Sequence, residues 1–305
     1  GLQGANLVVN DDSTLLTYVK FVGDFHTIGI GALLALIGLF IIVVLHHKNI
    51  KGSILIGILA TWILGMICEA IGLYVPDGKD FYSLYPTFRM IDFGAFGTTF
   101  GQCFNVDFSG VDILNFIAVL FAFLFVDIFD TLGTLIGVST KANMLDEEGK
   151  LPRIRPALLA DAIATSVGAI FGTSTTTTYV ESSAGVAAGG RTGLSAMVTG
   201  LLFLLAIVFA PIFTAIPSFA TAPALIFVGF LMISSIISID FEDITEAVPA
   251  YLAMLAMPLM YSISEGIALG VISYVVINLC CGKAKKIKPL MYILAVLFVL
   301  KYIFL

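Results

Sequence analysis

Charged residues are scarce in this sequence of 305 residues: Asp, Glu, Lys and Arg together make up 12% of it. Hydrophobic residues make up 59%, and the mean hydropathy is +1.06. No soluble domain hides so many long apolar runs, so the composition excludes a soluble fold and predicts an integral protein of the lipid bilayer. Because the 21 acidic residues outnumber the 15 basic ones, a nucleic acid partner is also excluded.

Cysteine is scarce too, and its four copies form no CxxC pair. Cys68, Cys103, Cys280 and Cys281 therefore indicate neither a disulfide framework nor a zinc site, and we expect no metal and no cofactor. No signal peptide is visible. Residues 1–9 resemble the end of an apolar helix, which predicts that an N-terminal part is missing.

Apolar runs of membrane-spanning length dominate the chain, beginning with 26–45, 53–75 and 112–138. Several later segments are shorter than the roughly 20 residues of a straight crossing, which is typical of discontinuous transporter helices. The last run either crosses the membrane or lies flat on it. The predicted later segments are 157–171, 180–188, 194–216, 222–239, 248–263, 266–281 and 289–305.

The distribution of Lys and Arg predicts the orientation. If the segments alternate across the membrane, most of these residues fall in loops on one side, which the positive-inside rule assigns to the cytoplasm. We therefore predict a multi-pass protein of the cell (inner) membrane with its basic loops in the cytoplasm. The cytoplasmic set is Lys48, Lys51, Lys141, Lys150, Arg153, Arg155, Arg191, Lys283, Lys285, Lys286 and Lys288; the opposite set is Lys20, Lys79 and Arg89, with Lys301 unassigned.

Four acidic residues at membrane depth are candidates for function, because an ionisable side chain within a span costs roughly 2.5–3.5 kcal/mol. Asp127 and Asp130 are three residues apart and share one helical face. Asp161 lies on the following helix, and Glu181 follows a run of threonines. A hydrogen bond between helices is the alternative role of Asp127 and Asp161. Gly133, close to Asp130, lets another backbone approach.

The threonine-rich segment 172–185 is the second signal. β-Branched Thr disfavours a helix and suits an extended strand, so this segment is predicted to interrupt the helix. At membrane depth, free backbone groups are tolerated only where they are buried in protein or line a cavity. Glu181 then lies near the start of a half-helix, whose positive end favours a carboxylate or an anionic ligand. An extramembrane turn is the alternative, although the glycines from Gly185 to Gly193, with Arg191, suit close packing of crossing segments.

Three segments carry a resemblance to a known family. Residues 125–135 read FVDIFDTLGTL, residues 172–193 read GTSTTTTYVESSAGVAAGGRTG, and residues 222–229 read APALIFVG. They closely resemble the adenine/guanine/hypoxanthine permeases, the azaguanine-resistance branch of the xanthine/uracil permease (nucleobase:cation symporter) superfamily. The resemblance extends over essentially the whole chain.

The resemblance implies an all-α polytopic membrane protein with two inverted repeats of seven segments. It also implies core and gate domains and a short mid-membrane strand, here Thr177 to Glu181, before a half-helix. The chain is then expected to lack the first four segments and most of the fifth, so that its first repeat is incomplete. The implied divisions are gate segments at 1–75, an extracytoplasmic loop at 76–111, half of the core at 112–216, gate segments at 217–281, and a basic segment with a C-terminal helix at 282–305.

The resemblance also implies roles for individual residues. Asp130 matches the family's acidic ligand of the nucleobase, and Glu181 matches the acid or amide that reads the edge of the base. Tyr179 matches an aromatic position beside the ring. The implied substrate-binding set is Phe129, Asp130, Thr177, Thr178, Tyr179 and Glu181, and the implied packing set is Asp127, Gly133, Asp161, Gly185 and Arg191.

By resemblance, the function is import of purine bases (hypoxanthine, adenine, guanine) through an elevator-like movement of core past gate, driven by proton symport. The residues agree, because carboxylates and backbone amides complement the edges of a purine and a membrane-buried carboxyl can load and release a proton. Asp130 or Glu181 is expected to couple the proton, while Na⁺ coupling and a homodimer stay open. The alternatives are a uracil or xanthine permease and a membrane enzyme that uses Asp127 and Asp130.

Overall fold

A computed structural model of the chain describes residues 1–9, 17–18, 25–78, 82–87, 93–107 and 109–304. Among these residues, five helical stretches are long and apolar enough to cross a membrane: Phe25–His47, Ser53–Ala70, Asn115–Lys141, Ile154–Phe171 and Ile263–Cys280. The α-helices, in chain order, are α1 (Ile30–His47), α2 (Ser53–Ala70), α3 (Phe93–Thr99), α4 (Ile113–Lys141), α5 (Ile154–Phe171), α6 (Ser182–Ala187), α7 (Gly193–Val208), α8 (Ala210–Phe213), α9 (Ser218–Met232), α10 (Ile244–Leu259), α11 (Ile263–Cys280) and α12 (Pro289–Phe304).

The predicted apolar segments correspond to helices, but some boundaries differ for local reasons. Helix α2 ends at Ala70, short of the predicted bound, because Gly72 adopts a φ of 77° that a helix does not contain. The predicted segment 194–216 is divided at Phe209, where α7 ends and Pro211 lies in the first turn of α8. A proline is tolerated in the first turn of a helix but not in its interior, so the division is expected.

Strands are found in a different place from the one predicted. Residues 2–6 form a turn rather than the end of a helix, and strand β1 (Val8–Val9) pairs antiparallel with β2 (Thr17–Tyr18). The strand predicted at Thr177 to Glu181 is not formed, because residues 175–179 have no regular secondary structure. A strand exists through hydrogen bonds to a neighbouring strand, whereas this segment is hydrogen-bonded by side chains of α4 and α5.

The chain divides into two compact units, and each is described by itself. The first unit contains Gly1–Gly97 and Val180–Met232, and the second contains Thr98–Tyr179 and Ile233–Leu305. The predicted gate and core domains concern movement during transport, which compactness does not report, so that division stays a prediction.

Helices α1, α2 and α9 pack against one another in the first unit, and glycines allow their close approach. A Cβ atom on Gly38 would lie 2.2 Å from Thr61 Oγ1, and one on Gly57 would lie 2.2 Å from Ile42 Cγ1. Thr61 is fully buried and donates to the Gly57 carbonyl at 2.7 Å. The main apolar cluster of this bundle consists of Ala5, Ile30, Leu34, Ala35, Trp62, Tyr74, Leu84, Phe219, Ala220 and Ala222.

The segment after α2 is tied back onto that helix by hydrogen bonds. Trp62 Nε1 donates to the Leu84 carbonyl at 2.9 Å. The Glu69 carboxylate accepts from Leu84 N at 2.8 Å and from Ser83 Oγ at 2.7 Å. Both helix and segment therefore contribute to the apolar cluster, in which Leu84 is buried.

In the second unit, α10 and α11 form an antiparallel pair. A Cβ on Gly266 would lie 2.1 Å from Met257 Cγ, and one on Gly270 would lie 2.9 Å from Ala253 Cβ. The two helices therefore approach more closely there than larger residues would allow.

Helix α12 returns along α11 and is joined to it by an ion pair. The Lys301 ammonium and the Tyr302 hydroxyl both donate to the carboxylate of Glu265. Glu265 lies in the first turn of α11, so Lys301 is placed at the end of that helix opposite the basic residues 283–288.

Candidate functional site

A network of hydroxyl and carboxylate groups joins α4, α5 and the threonine-rich segment in the second unit. Thr131 Oγ1 donates to Asp161 Oδ2 at 2.8 Å, and Thr177 Oγ1 lies 2.9 Å from the same hydroxyl oxygen. Thr178 Oγ1 donates to Asp161 Oδ1 at 3.2 Å. Both carboxylate oxygens of Asp161 are therefore occupied, and the threonine segment is held against both helices.

Two glycines let the threonine segment turn back along α5. Gly172 ends the helix with a φ of 73°, and a Cβ on Gly168 would lie only 2.5 Å from Thr176 Oγ1. Thr165 Oγ1 donates to the Thr176 carbonyl at 2.8 Å. A backbone carbonyl of the irregular segment is thereby satisfied by a side chain, as a membrane interior requires.

The two acids of α4 lie within one turn of each other near the middle of the helix, and Thr131 follows them. In the part of the chain that the structure describes, Asp127 Oδ1 is buried and has no hydrogen-bond partner. Asp130 is half-buried, and no hydrogen bond joins it to another described residue. These carboxyl groups are therefore the acceptors of α4 that remain available for the N–H groups of a ligand.

The other predicted residues of this region have different surroundings. Phe129 packs with Phe125 against the apolar cluster of α11 and α12 and does not join the network. Tyr179 ends the threonine segment with 56% of its surface exposed. Among the described residues, no atom outside the chain neighbours and the local helix backbone lies within 4 Å of a Cβ built on Gly133 or Gly185, and the packing role of both glycines stays a prediction.

Glu181 belongs to the first unit and directly precedes the short helix α6. Its backbone is helical, with φ −61° and ψ −20°, and its side chain does not cap α6. Glu181 lines a cavity of about 570 Å³ together with α9, part of α2 and the turn between α1 and α2. His46 and Lys51 line the same cavity. Arg191 is exposed in the loop after α6.

Sequence analysis missed Thr131 and Thr165, which hold the threonine segment. Each lies four residues after an acid on the same helix, Thr131 after Asp127 and Thr165 after Asp161. Residues four apart share a helical face. A threonine four residues after a membrane-depth acid was therefore the signal that pointed to the network.

The comparisons with known proteins cover the whole of this region. A family model described as Permease family (Xan_ur_permease) matches residues 1–287. A putative permease of Methanocaldococcus jannaschii is 42% identical over 305 residues, which cover 100% of this chain and 65% of that protein. The guanine/hypoxanthine permease PbuG of Bacillus subtilis is 43% identical over 305 residues, which cover 100% of this chain and 65% of that permease. The adenine permease AdeP of Escherichia coli is 40% identical over 304 residues, which cover 100% of this chain and 63% of that permease.

The chain thus spans 63–65% of the length of these relatives. All three are named as permeases, so the alternative of a membrane enzyme is wrong. The match to the family model extends over nearly the whole sequence. The chain therefore belongs to the Permease family of multi-pass membrane proteins, which are transporters rather than enzymes.

Proposed function

We propose that the protein imports purine nucleobases, namely hypoxanthine, guanine and adenine, by proton symport across the inner membrane. The observation that carries the proposal is the pair of available carboxyl groups, Asp127 and Asp130, in the middle of α4 beside the network of Asp161. The substrate class is supported by the names of the relatives, a guanine/hypoxanthine permease and an adenine permease.

The chemistry of the second unit suits the edge of a purine base. Such a base carries N–H donors and ring-nitrogen acceptors in one plane. The carboxylate of Asp130 accepts from adjacent N–H groups of the base. The hydroxyl oxygens of Thr177 and Thr178, whose protons are donated to Thr131 and Asp161, keep lone pairs that accept further N–H groups. The exposed ring of Tyr179 offers an aromatic face on which the base stacks. Asp161 takes a positioning role, because its oxygens are already occupied by threonines.

Proton coupling is assigned to Asp130 or Glu181. A carboxyl group at membrane depth is costly as an anion, so binding of a base that donates to it changes its tendency to hold a proton. Na⁺ is the alternative coupling ion.

The proposal extends to the architecture of the working transporter. We propose that the transporter has two inverted repeats, that its core moves past its gate like an elevator, that its basic loops lie in the cytoplasm and that it forms a homodimer. The short helix α6 after an irregular segment supports the repeat architecture, since interrupted helices are typical of such transporters.

Uptake of labelled bases tests this function. Cells that lack purine carriers express the protein from its complete coding sequence and receive hypoxanthine, adenine, guanine, uracil or xanthine, with and without a protonophore. We expect accumulation of the three purines, collapse with the protonophore, and loss in Asp130→Asn and Glu181→Gln. Glu147→Gln, which changes an exposed loop acid, is the matched control and should transport normally.

The other outcomes each overturn a stated part of the proposal. Uptake that depends on Na⁺ and is unaffected by the protonophore would show that the coupling ion is Na⁺ rather than H⁺. Uptake of uracil or xanthine alone would show that the substrate class is not the purine bases proposed here. Correct membrane insertion without uptake of any base would overturn the transport function itself.

A further inference from the structure

A groove of about 490 Å³ lies between α10, α11 and the start of α12, within the second unit. It shares no lining residue with the network of Asp161. Glu246 and Tyr274 are the polar side chains of its lining, and the other lining residues are apolar or glycine. The groove therefore suits an apolar ligand that carries a polar group at one end.

Small residues give the groove the dimensions of a hydrocarbon chain. Ala253 and Gly270 meet where α10 and α11 approach most closely, and Ala250 lines the same groove. The lining extends along α10 from Glu246 to Met257, a distance of about 16 Å at a helical rise of about 1.5 Å per residue. One leaflet contributes roughly 15 Å of the hydrocarbon core of a bilayer. The groove thus matches one acyl chain within a single leaflet.

The basic segment 283–288 borders one end of the groove. Lys286 Nζ lies 2.7 Å from Glu246 Oε1, so the carboxylate at this end is neutralised by an ion pair. Lys285 and Lys288 are exposed, and within the described part of the chain neither takes part in an ion pair. Two positive charges are therefore available at this end for the phosphate of a lipid headgroup.

We propose that the groove binds one anionic phospholipid. One acyl chain lies along α10 and α11 beside Ala250 and Val271, and the phosphate accepts hydrogen bonds from Lys285 and Lys288. An anionic lipid is favoured over a zwitterionic one, because the ammonium group of a choline or ethanolamine headgroup would repel these lysines. Lipid binding at this place does not depend on which base the protein transports.

Lipid binding to the purified protein, expressed from its complete coding sequence, tests the proposal. Native mass spectrometry measures the binding of added phosphatidylglycerol, phosphatidylcholine or glycerol 3-phosphate, the last being a headgroup without acyl chains. Ala250→Phe fills the groove without a change of charge. Ala247→Phe is the matched control, because Ala247 is half-buried like Ala250 and lies on the same helix outside the groove. Ala250→Leu is a second filling variant if Ala250→Phe does not fold.

A second pair of variants tests the charges. The double change Lys285→Gln and Lys288→Gln removes the two unpaired lysines and leaves the groove intact. The double change Lys48→Gln and Lys150→Gln is the control, because it removes the same charge from exposed positions in other loops.

We expect the wild type to bind one phosphatidylglycerol per chain, phosphatidylcholine at least tenfold more weakly, and glycerol 3-phosphate not at all. The filling variant should weaken the binding of both lipids at least tenfold. The loss of Lys285 and Lys288 should weaken the binding of phosphatidylglycerol alone, by about ten- to thirtyfold. Both controls should match the wild type.

Three results would overturn the lipid site. Unchanged binding of phosphatidylglycerol in the filling variants would show that the lysines attract lipid without the groove. Binding of glycerol 3-phosphate as tight as that of phosphatidylglycerol would show a site for a free anion. A filling variant that loses its dimer but keeps its lipid would show that a second copy of the chain covers the groove.

Discussion

The α1–α2–α9 bundle and the α4–α5 pair are held together by different forces. Within the described chain, 44% and 28% of the spanning windows of α1 and α2 are buried, against 6% for those of α4 and α5. The bundle interlocks apolar side chains with glycines. Helices α4 and α5 are joined instead by hydrogen bonds that meet at Asp161. The comparison teaches that packing specifies the bundle, whereas directional polar contacts specify the candidate site.

This difference makes the two regions separable by mutation. A change in the bundle alters the volume of a closely packed interior, so it should act on the free energy of unfolding. A change in the network alters the position of threonines and acids, so it should act on transport. The predictions below run from the largest expected effect to the smallest.

Overpacking of the bundle should have the largest effect. Gly57→Leu places a Cβ 2.2 Å from Ile42 Cγ1, and Ile42 is fully buried and cannot move aside. We expect a loss of about 3 kcal/mol in the free energy of unfolding, seen as a lower thermal midpoint in detergent or failure to fold. Gly133→Leu on α4 is the control, since no described atom crowds that site. Equal losses in both variants would contradict the comparison.

Removal of one hydroxyl from the network should reduce transport. Thr131→Val keeps the shape of the side chain but loses the bonds to Asp161 and Thr177. A hydrogen bond to a charged group contributes about 1.5–3 kcal/mol, so initial uptake should fall roughly ten- to hundredfold at equal membrane amounts. Thr131→Ser should retain most of the uptake.

The control for this change is Thr199→Val, because among the described residues the hydroxyl of Thr199 bonds only to the Ser195 carbonyl of its own helix. Its uptake should equal that of the wild type. A Thr131→Val protein that transports normally would show that the network does not position the site.

A milder change in the bundle should affect stability alone. Trp62→Phe keeps an aromatic ring in the apolar cluster but removes the 2.9 Å bond to the Leu84 carbonyl. We expect a loss of about 1 kcal/mol in the free energy of unfolding with unchanged uptake. Tyr85→Phe, which removes an exposed bond to the Met66 carbonyl, should cost less in the same thermal measurement. The reverse order would contradict the assignment of Trp62 to the core.

The smallest effect concerns Asp243, which accepts from Lys283 Nζ at 3.0 Å and from Lys286 Nζ at 3.1 Å. Hydrogen bonds from Thr245 and from these lysines hold the pKa of Asp243 well below its usual range. A lowered pKa in the folded state stabilises the protein above the unfolded pKa, and that contribution is lost as the pH falls through the folded pKa.

Asp243→Asn should therefore lower the thermal midpoint slightly at pH 7, since exposed ion pairs contribute little. The gap to the wild type should narrow as the pH falls below about 4. Thermal unfolding over a pH series measures this gap, with Glu242→Gln, an exposed neighbour, as control. A gap that widens in acid would contradict the assigned direction of the pKa.

The spanning helices could be predicted from the sequence because their apolar runs are long and uninterrupted, as at 26–45. The pairing of Val8 with Tyr18 could not, since two-residue strands leave no periodic pattern. The importance of Asp127, Asp130 and Asp161 followed from the cost of charge in a membrane. Their partners did not follow, because which hydroxyl meets which carboxylate depends on the tertiary approach of the helices.

The partner of Lys301 is another contact that could not be predicted from the sequence. Lys301 was left unassigned, and Glu265 lies between the predicted segments 248–263 and 266–281, yet the structure pairs the two. The available signal was a basic residue within one apolar run and an acidic residue at the start of another. Composition alone did not show that these helices are neighbours.

Equilibrium binding of labelled hypoxanthine to the purified protein, expressed from its complete coding sequence, tests the central claim most directly. In the proposed function, the base is recognised by Asp130 beside the network of Thr131, Asp161 and the threonine segment. We therefore predict that Asp130→Asn abolishes binding, that Thr131→Val weakens it, and that Trp62→Phe leaves it unchanged. Wild-type affinity in Asp130→Asn, together with loss of binding in Trp62→Phe, would contradict this assignment.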